Sequence, residues 1–211
     1  MRKREDRAVA IPLEDGEQAL EGIFIAGLDD DAVGVVVAAP HPLYGGSMES
    51  PVVNEIAYAA RKAGLASLRF NWRGVGASTG VVSGEADDAD ADYRAALRHL
   101  TETVPGAVVA AGYSFGAAAA VRVASGEPRV RRLLLLAPPP ALLDVDALAA
   151  FAGDVLLMAG AEDAIAPPAE LERVASALPR ATFAAIPSAD HFFAAGLADV
   201  ARVTAGWLDP H

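Results

Sequence analysis

A serine hydroxyl attacks a carbonyl at neutral pH only where a base takes its proton. Ser114 stands in Gly112-Tyr113-Ser114-Phe115-Gly116, a G-x-S-x-G pattern. The pattern falls where the apolar run Ala107–Tyr113 gives way to a helical stretch, Phe115–Ser125. A serine on such a strand-to-helix turn presents its oxygen at the carboxyl edge of a sheet, and the flanking glycines let backbone approach closely. Read alone, the five residues would equally suit a plain Gly-Ser turn.

The base must come from four histidines. His211 ends the chain, and His99 shares a charged stretch with Arg94 and Arg98 that reads as surface helix. His41 and His191 each follow an apolar run, the third and the last. Loops that leave parallel strands share one edge, so both can approach Ser114. His191, in Ser188-Ala189-Asp190-His191-Phe192-Phe193, is the better base because it follows the final strand. Its plain alternative is a helix-start histidine capped by Asp190. The orienting acid is expected at Asp163, in Gly160-Ala161-Glu162-Asp163, with Glu162, Asp190, Asp144 and Asp146 as rivals. Ser114, Asp163 and His191 then run in the nucleophile–acid–base order of α/β-hydrolases.

An oxyanion also needs donors. The Phe115 amide at the helix start is one candidate. The second is expected from His41-Pro42-Leu43-Tyr44-Gly45-Gly46. Proline has no N–H, which leaves Leu43 first and Tyr44 second. Tyr44, Tyr113 and His41 adjoin these atoms and are the expected substrate contacts, although Tyr113 also suits simple packing. Arg73 is expected to brace its loop through backbone carbonyls, with binding of an acidic substrate as the alternative. The segment Gly74-Val75-Gly76-Ala77-Ser78-Thr79-Gly80 has the glycine content of a dinucleotide loop, but Val81-Val82-Ser83-Gly84 follows it where a helix should start. With no P-loop lysine, HExxH or paired histidine ligands, neither a cofactor nor a metal is expected.

These residues need a scaffold that brings strand ends together. Apolar runs predict eight strands: Arg7–Leu13, Leu20–Ala26, Val33–Ala39, Leu65–Phe70, Ala107–Tyr113, Arg132–Ala137, Val155–Ala159 and Thr182–Ile186. The first two flank the turn Glu14-Asp15-Gly16. Helices are expected from Pro51, capped by Ser50, to Gly64; from Glu85 to about Thr103; over Phe115–Ser125; briefly near Asp144–Phe151; over Pro167–Leu178; and over His191–Leu208. Alternation of this kind predicts an α/β fold, mostly parallel after the first two strands.

The 211 residues suit one domain, 1–211, and 53% hydrophobic residues suffice for a sizeable core. A net charge of −11 disfavours nucleic acid and anionic membrane surfaces as partners. The absence of cysteine excludes disulfides and thiol chemistry. The start of the chain is charged with no apolar segment after it, and the window Ala107–Ala124 is interrupted by Gly112, Tyr113, Ser114, Gly116 and Arg122. A soluble, cytoplasmic protein is expected.

The chain resembles the small, lidless α/β-hydrolases of bacteria. Pro40–Met48 and Leu68–Gly76 are similar to that group's two long blocks, and Gly112–Gly116, Gly160–Asp163 and Asp190–Phe193 to its nucleophile, acid and histidine blocks. The resemblance implies a Ser114–Asp163–His191 triad on a mostly parallel eight-stranded sheet with helices on both faces. Larger members carry a cap between the sixth and seventh strands; Pro138 to Asp154 leaves room for one short helix, so no substantial cap is expected. The expected activity is hydrolysis of a small ester or thioester through an acyl-enzyme on Ser114. Amide or peptide cleavage and acyl transfer remain open on the same residues, as does an idle hydrolase fold used for binding.

Overall fold

Eight apolar runs become eight strands because each is rich in side chains that fit a pleated, buried surface. They are β1 (Arg7–Pro12), β2 (Ala19–Ile25), β3 (Gly34–Ala38), β4 (Ala66–Phe70), β5 (Val108–Tyr113), β6 (Val130–Leu136), β7 (Asp154–Gly160) and β8 (Ala181–Ile186). The computed structural model describes residues 5–14, 16–28 and 33–209. Asp15 of the expected first turn, the first four residues and His211 lie outside them. The strands form one sheet in the order β1-β2-β4-β3-β5-β6-β7-β8. β2 runs antiparallel to β1 and β4, and every other pairing is parallel.

The strand order fixes the layers. The step from β3 to β4 runs one way along the sheet; every later step runs the other way. Right-handed crossovers then put α1 (Pro51–Lys62) on one face and α2 (Ala86–Thr103), α3 (Phe115–Ala124), α4 (Val145–Ala150) and α5 (Pro168–Ser176) on the opposite one. The last helix, α6 (Leu197–Leu208), returns to pack against α1. The reversal opens a crevice between the carboxyl ends of β3 and β5, where open α/β sheets take ligands. Between β6 and β7 stand only a 3₁₀ turn, Pro140–Leu142, and the six-residue α4.

The core spans both faces of the central strands. Val35, Val36, Val37, Leu134 and Leu157 are fully buried. Ala117 to Ala120 of α3 are equally buried. Their small side chains let this helix lie close to the sheet. Gly116 makes that approach possible, since a Cβ there would sit 2.5 Å from the Ala39 carbonyl oxygen at the end of β3.

Two local expectations are corrected. Ser50 makes no side-chain cap bond, and Pro51 alone marks the start of α1. The closing helix begins at Leu197, six residues after His191. Phe193 (φ 54°) and Gly196 (φ 89°) take left-handed backbone that a right-handed helix cannot contain, so His191 lies in a loop. No helix among the described residues is long and apolar enough to cross a bilayer.

Candidate active site

Ser114 is forced into its position by the turn that carries it. It leaves β5 with φ 55° and ψ −117°, an unfavourable backbone for a residue with a Cβ. The turn closes so tightly that a Cβ at Gly112 would lie 2.3 Å from the carbonyl group of Gly116. The surroundings hold the strain: the Ser114 amide donates to the Leu136 carbonyl on the next strand at 2.8 Å. Such conformations persist only where neighbours over-determine them.

The Ser114 Oγ lies 2.9 Å from His191 Nε2, and His191 Nδ1 lies 2.8 Å from Asp163 Oδ2. All three residues are buried. The other carboxylate oxygen of Asp163 accepts the amides of Ile165 at 2.8 Å and Ala166 at 2.7 Å. One oxygen is thus fixed by the acid's own loop and the other is aimed at the imidazole. The rival carboxylates are elsewhere. Glu162, Asp144 and Asp146 are exposed, with Asp144 capping α4 through the Ala147 amide. Asp190 is exposed and accepts the Phe192 amide at 3.0 Å.

Tyr113 holds the base from below. Its hydroxyl donates to the His191 carbonyl at 2.6 Å, and its ring is tilted against the imidazole. Burial, with the negative charges of Asp163 and Asp190, raises its pKa well above the usual tyrosine value, so the hydroxyl stays a donor.

His41 does not meet Ser114. Its ring lies tilted between Tyr44 and Phe115, with centroids 4.8 and 4.5 Å away, and burial lowers its pKa. Its Nδ1 accepts the Leu43 amide over a long 3.3 Å bond. The Tyr44 amide closes the 3₁₀ turn onto the His41 carbonyl at 3.1 Å. Leu43, expected to offer a free amide, is therefore weakly engaged, and Tyr44 is engaged more firmly. The Phe115 amide meets no acceptor among the described residues.

The loop after β4 braces the loop after β3. Trp72, fully buried, donates through Nε1 to the carbonyls of Ala39 and Pro40 and sets its edge against Phe115. Asn71 accepts the Met48 amide at 2.8 Å and donates to Glu21 at 2.8 Å. Arg73 corrects an expectation. Its guanidinium binds the carboxylates of Asp88 and Asp92 on α2, at 2.5 and 2.7 Å, as well as the Asp88 carbonyl. Asp92 is almost fully buried and satisfied by this pair, which anchors the loop to the helix start.

Ser114 opens into a cleft of about 670 Å³ whose wall includes His41, Tyr44, Tyr113 and Phe115. Three further residues line it that the sequence reading did not single out: Leu142, Ile165 and Phe192. Ile165 stands two residues after Asp163 and Phe192 directly after His191, but nothing in their spacing says which way they face, and Leu142 adjoins no site residue in sequence. No lysine, arginine, aspartate or glutamate lines the cleft among the described residues.

A sequence model of the Alpha/beta hydrolase family matches residues 41–209. An uncharacterized protein of Rickettsia prowazekii is 33% identical over 125 residues, 58% of this chain and 52% of that protein. The match thus spans about half the length of this curated relative. Three solved structures are similar nearly end to end. A protein of unknown function from Agrobacterium tumefaciens, suggested to be an alpha/beta hydrolase, has a TM-score of 0.87 and 27% identity over 96% of this chain and 95% of that one. An alpha-beta serine hydrolase homologue from Coxiella burnetii scores 0.85 with 28% identity over 99% of each chain. A serine hydrolase without a lid from Xanthomonas campestris scores 0.83 with 27% identity over 100% and 99%.

Proposed function

The chain belongs to the alpha/beta hydrolase family and is a hydrolase by that membership, and from this premise we propose that it cleaves esters through an acyl-enzyme on Ser114. The observation that carries the reading is the relay from Ser114 Oγ through His191 to the pre-set oxygen of Asp163, at 2.9 and 2.8 Å.

In the first half-reaction His191 Nε2 takes the Ser114 proton as Oγ bonds to the substrate carbonyl carbon. The carbonyl electron pair moves to oxygen, which the Phe115 amide stabilises together with the Leu43 amide, released from its long bond to His41. Collapse breaks the bond to the alcohol, which leaves with the proton from His191. In the second half-reaction a water gives its proton to His191 and attacks the acyl carbon, and Ser114 departs with that proton. Asp163 holds the tautomer in which Nδ1 carries the hydrogen and stabilises the imidazolium. The sum is ester plus water to acid plus alcohol. The Ser114 backbone supports this role, because it turns the hydroxyl toward the crevice at the start of α3.

Short p-nitrophenyl esters and a fluorophosphonate probe test the reading. The unaltered protein should hydrolyse the esters and be labelled. Ser114→Ala should lose roughly 10⁴- to 10⁶-fold in kcat/KM and all labelling. Equal turnover and equal labelling of the two proteins would overturn it.

A further inference from the structure

A serine attack fixes four directions around the reacting carbon. One bond goes to Ser114 and one oxygen goes to the Phe115 and Leu43 amides. The leaving oxygen must come within hydrogen-bond reach of His191 Nε2 to collect its proton. The side chains beside that imidazole at the mouth therefore meet the alcohol half of the ester.

Phe192 stands there, and Ile165, on the loop of the acid that holds the imidazole, lines the same cleft. Phe192 follows His191 directly, sets its ring edge-on at 5.8 Å from the imidazole, and is 72% exposed. Ile165 is 50% exposed. Each is pinned by a backbone bond to a site loop: Phe192 to Asp190 at 3.0 Å and Ile165 to Asp163 at 2.8 Å. Their side chains stand in water on a chain of net charge −11 while their backbones are fixed. Exposed apolar side chains on anchored backbone at the lining of a cleft offer a seat for apolar ligand surface. Tyr44 belongs to the other wall, where its ring leans on His41 beside the oxyanion side.

Resting on the ester-cleaving role proposed for Ser114, we infer that Ile165 and Phe192 seat the leaving alcohol and make the protein selective for esters of neutral, apolar alcohols, aromatic ones included. The same cleft disfavours anionic alcohols and phosphate-bearing thiols. It offers them no cationic side chain among the described residues, and the net charge repels them.

The test holds the acyl group constant and varies the alcohol: butyrate esters of methanol, benzyl alcohol and 4-carboxybenzyl alcohol. Methanol and benzyl alcohol are close in acidity, so their intrinsic departure is similar. The ratio kcat/KM reports the acylation half-reaction, in which the alcohol is still bound. The unaltered protein should favour benzyl over methyl by about tenfold or more, as expected for burying one ring face, and benzyl over carboxybenzyl because the added carboxylate meets no cation in the cleft among the described residues. Phe192→Ala should reduce the benzyl-to-methyl ratio by about tenfold and Phe192→Leu by much less, with Ile165→Ala as an independent second variant. Because ratios are read, any loss common to both esters cancels. Unchanged ratios in both alanine variants, or no preference in the unaltered protein, would overturn the inference while fluorophosphonate labelling shows Ser114 still competent. Absence of both labelling and ester turnover would overturn the Ser114 reading and this inference together.

Discussion

The two edges of the sheet are built on opposite terms. At the carboxyl edge the backbone is forced. The four non-glycine residues with positive φ among those described, Ser114, Ala137, Ser188 and Phe193, all follow β5, β6 or β8. At the amino edge the backbone is relaxed and the side chains do the fastening. Arg129 donates to the carbonyls of Thr101, Val104 and Gly106, tying the end of α2 to the starts of β5 and β6. Arg180 takes Asp154 with two nitrogens, at 3.0 and 2.7 Å, where β7 and β8 begin. Arg132 lies 3.8 Å over the Trp207 ring and donates to the Trp207 carbonyl. Positive-φ strain sits where chemistry is proposed, and these three arginine ties sit a strand's length away. Stability and activity should therefore separate by edge.

The sharpest separation should come from Asp163→Asn. The amides of Ile165 and Ala166 would hold the new carbonyl oxygen and turn the NH₂ toward His191 Nδ1. That forces the proton to Nε2, the wrong tautomer for a base. Ester turnover should fall by roughly 10⁴-fold with little change in thermal midpoint. A loss under tenfold would remove Asp163 from the proposed role.

The converse is Arg129→Ala. It should cost about 1.5–3 kcal/mol in a denaturant titration, because three carbonyls lose a charged donor. Ester kcat/KM should change by less than about twofold. A large activity loss at unchanged stability would break the contrast between edges.

The smallest effect concerns pH. His41 borders the cleft, and burial lowers its pKa below the ordinary 6.5, because the imidazolium is poorly solvated there. Between the two values the unfolded chain binds more protons than the folded one, so stability falls as pH drops from about 6.5 toward the lowered value. His41→Gln keeps an acceptor for the Leu43 amide and removes this proton. Thermal midpoints measured from about pH 7.5 to 5 should decline less steeply in that variant. Parallel curves would show that His41 does not contribute.

The strands were legible because buried parallel strands are written as unbroken apolar runs, as in Val35 to Val37 or Leu133 to Leu136. The insertion of β4 between β2 and β3 was not, since strand order depends on crossover direction and leaves no periodic mark. His191-Phe192-Phe193-Ala194-Ala195 reads as helix by composition, but the tie to Asp163 and the left-handed Phe193 and Gly196 hold it as a loop. The carboxylate partners of Arg73 lie 15 and 19 residues away and could not be foreseen from its neighbours. Ser114, Asp163 and His191 were readable because each follows a strand, and in a parallel sheet a position in sequence becomes a shared edge in space. Phe192 and Ile165 were not, because an apolar residue beside a polar one gives no sign of which way it will face.

One carboxylate does two jobs. Asp163 Oδ1 holds the amide of Ile165, a wall of the cleft, while Oδ2 holds the base. In evolutionary terms this narrows the routes to a new specificity. Lengthening the segment between residues 163 and 166 would pull the wall and the base out of register together. Exchanging the Ile165 side chain leaves that backbone bond intact. Lineages from this scaffold should thus diversify here by residue identity, and change length in the segment between β6 and β7, which no such bond among the described residues ties to the base.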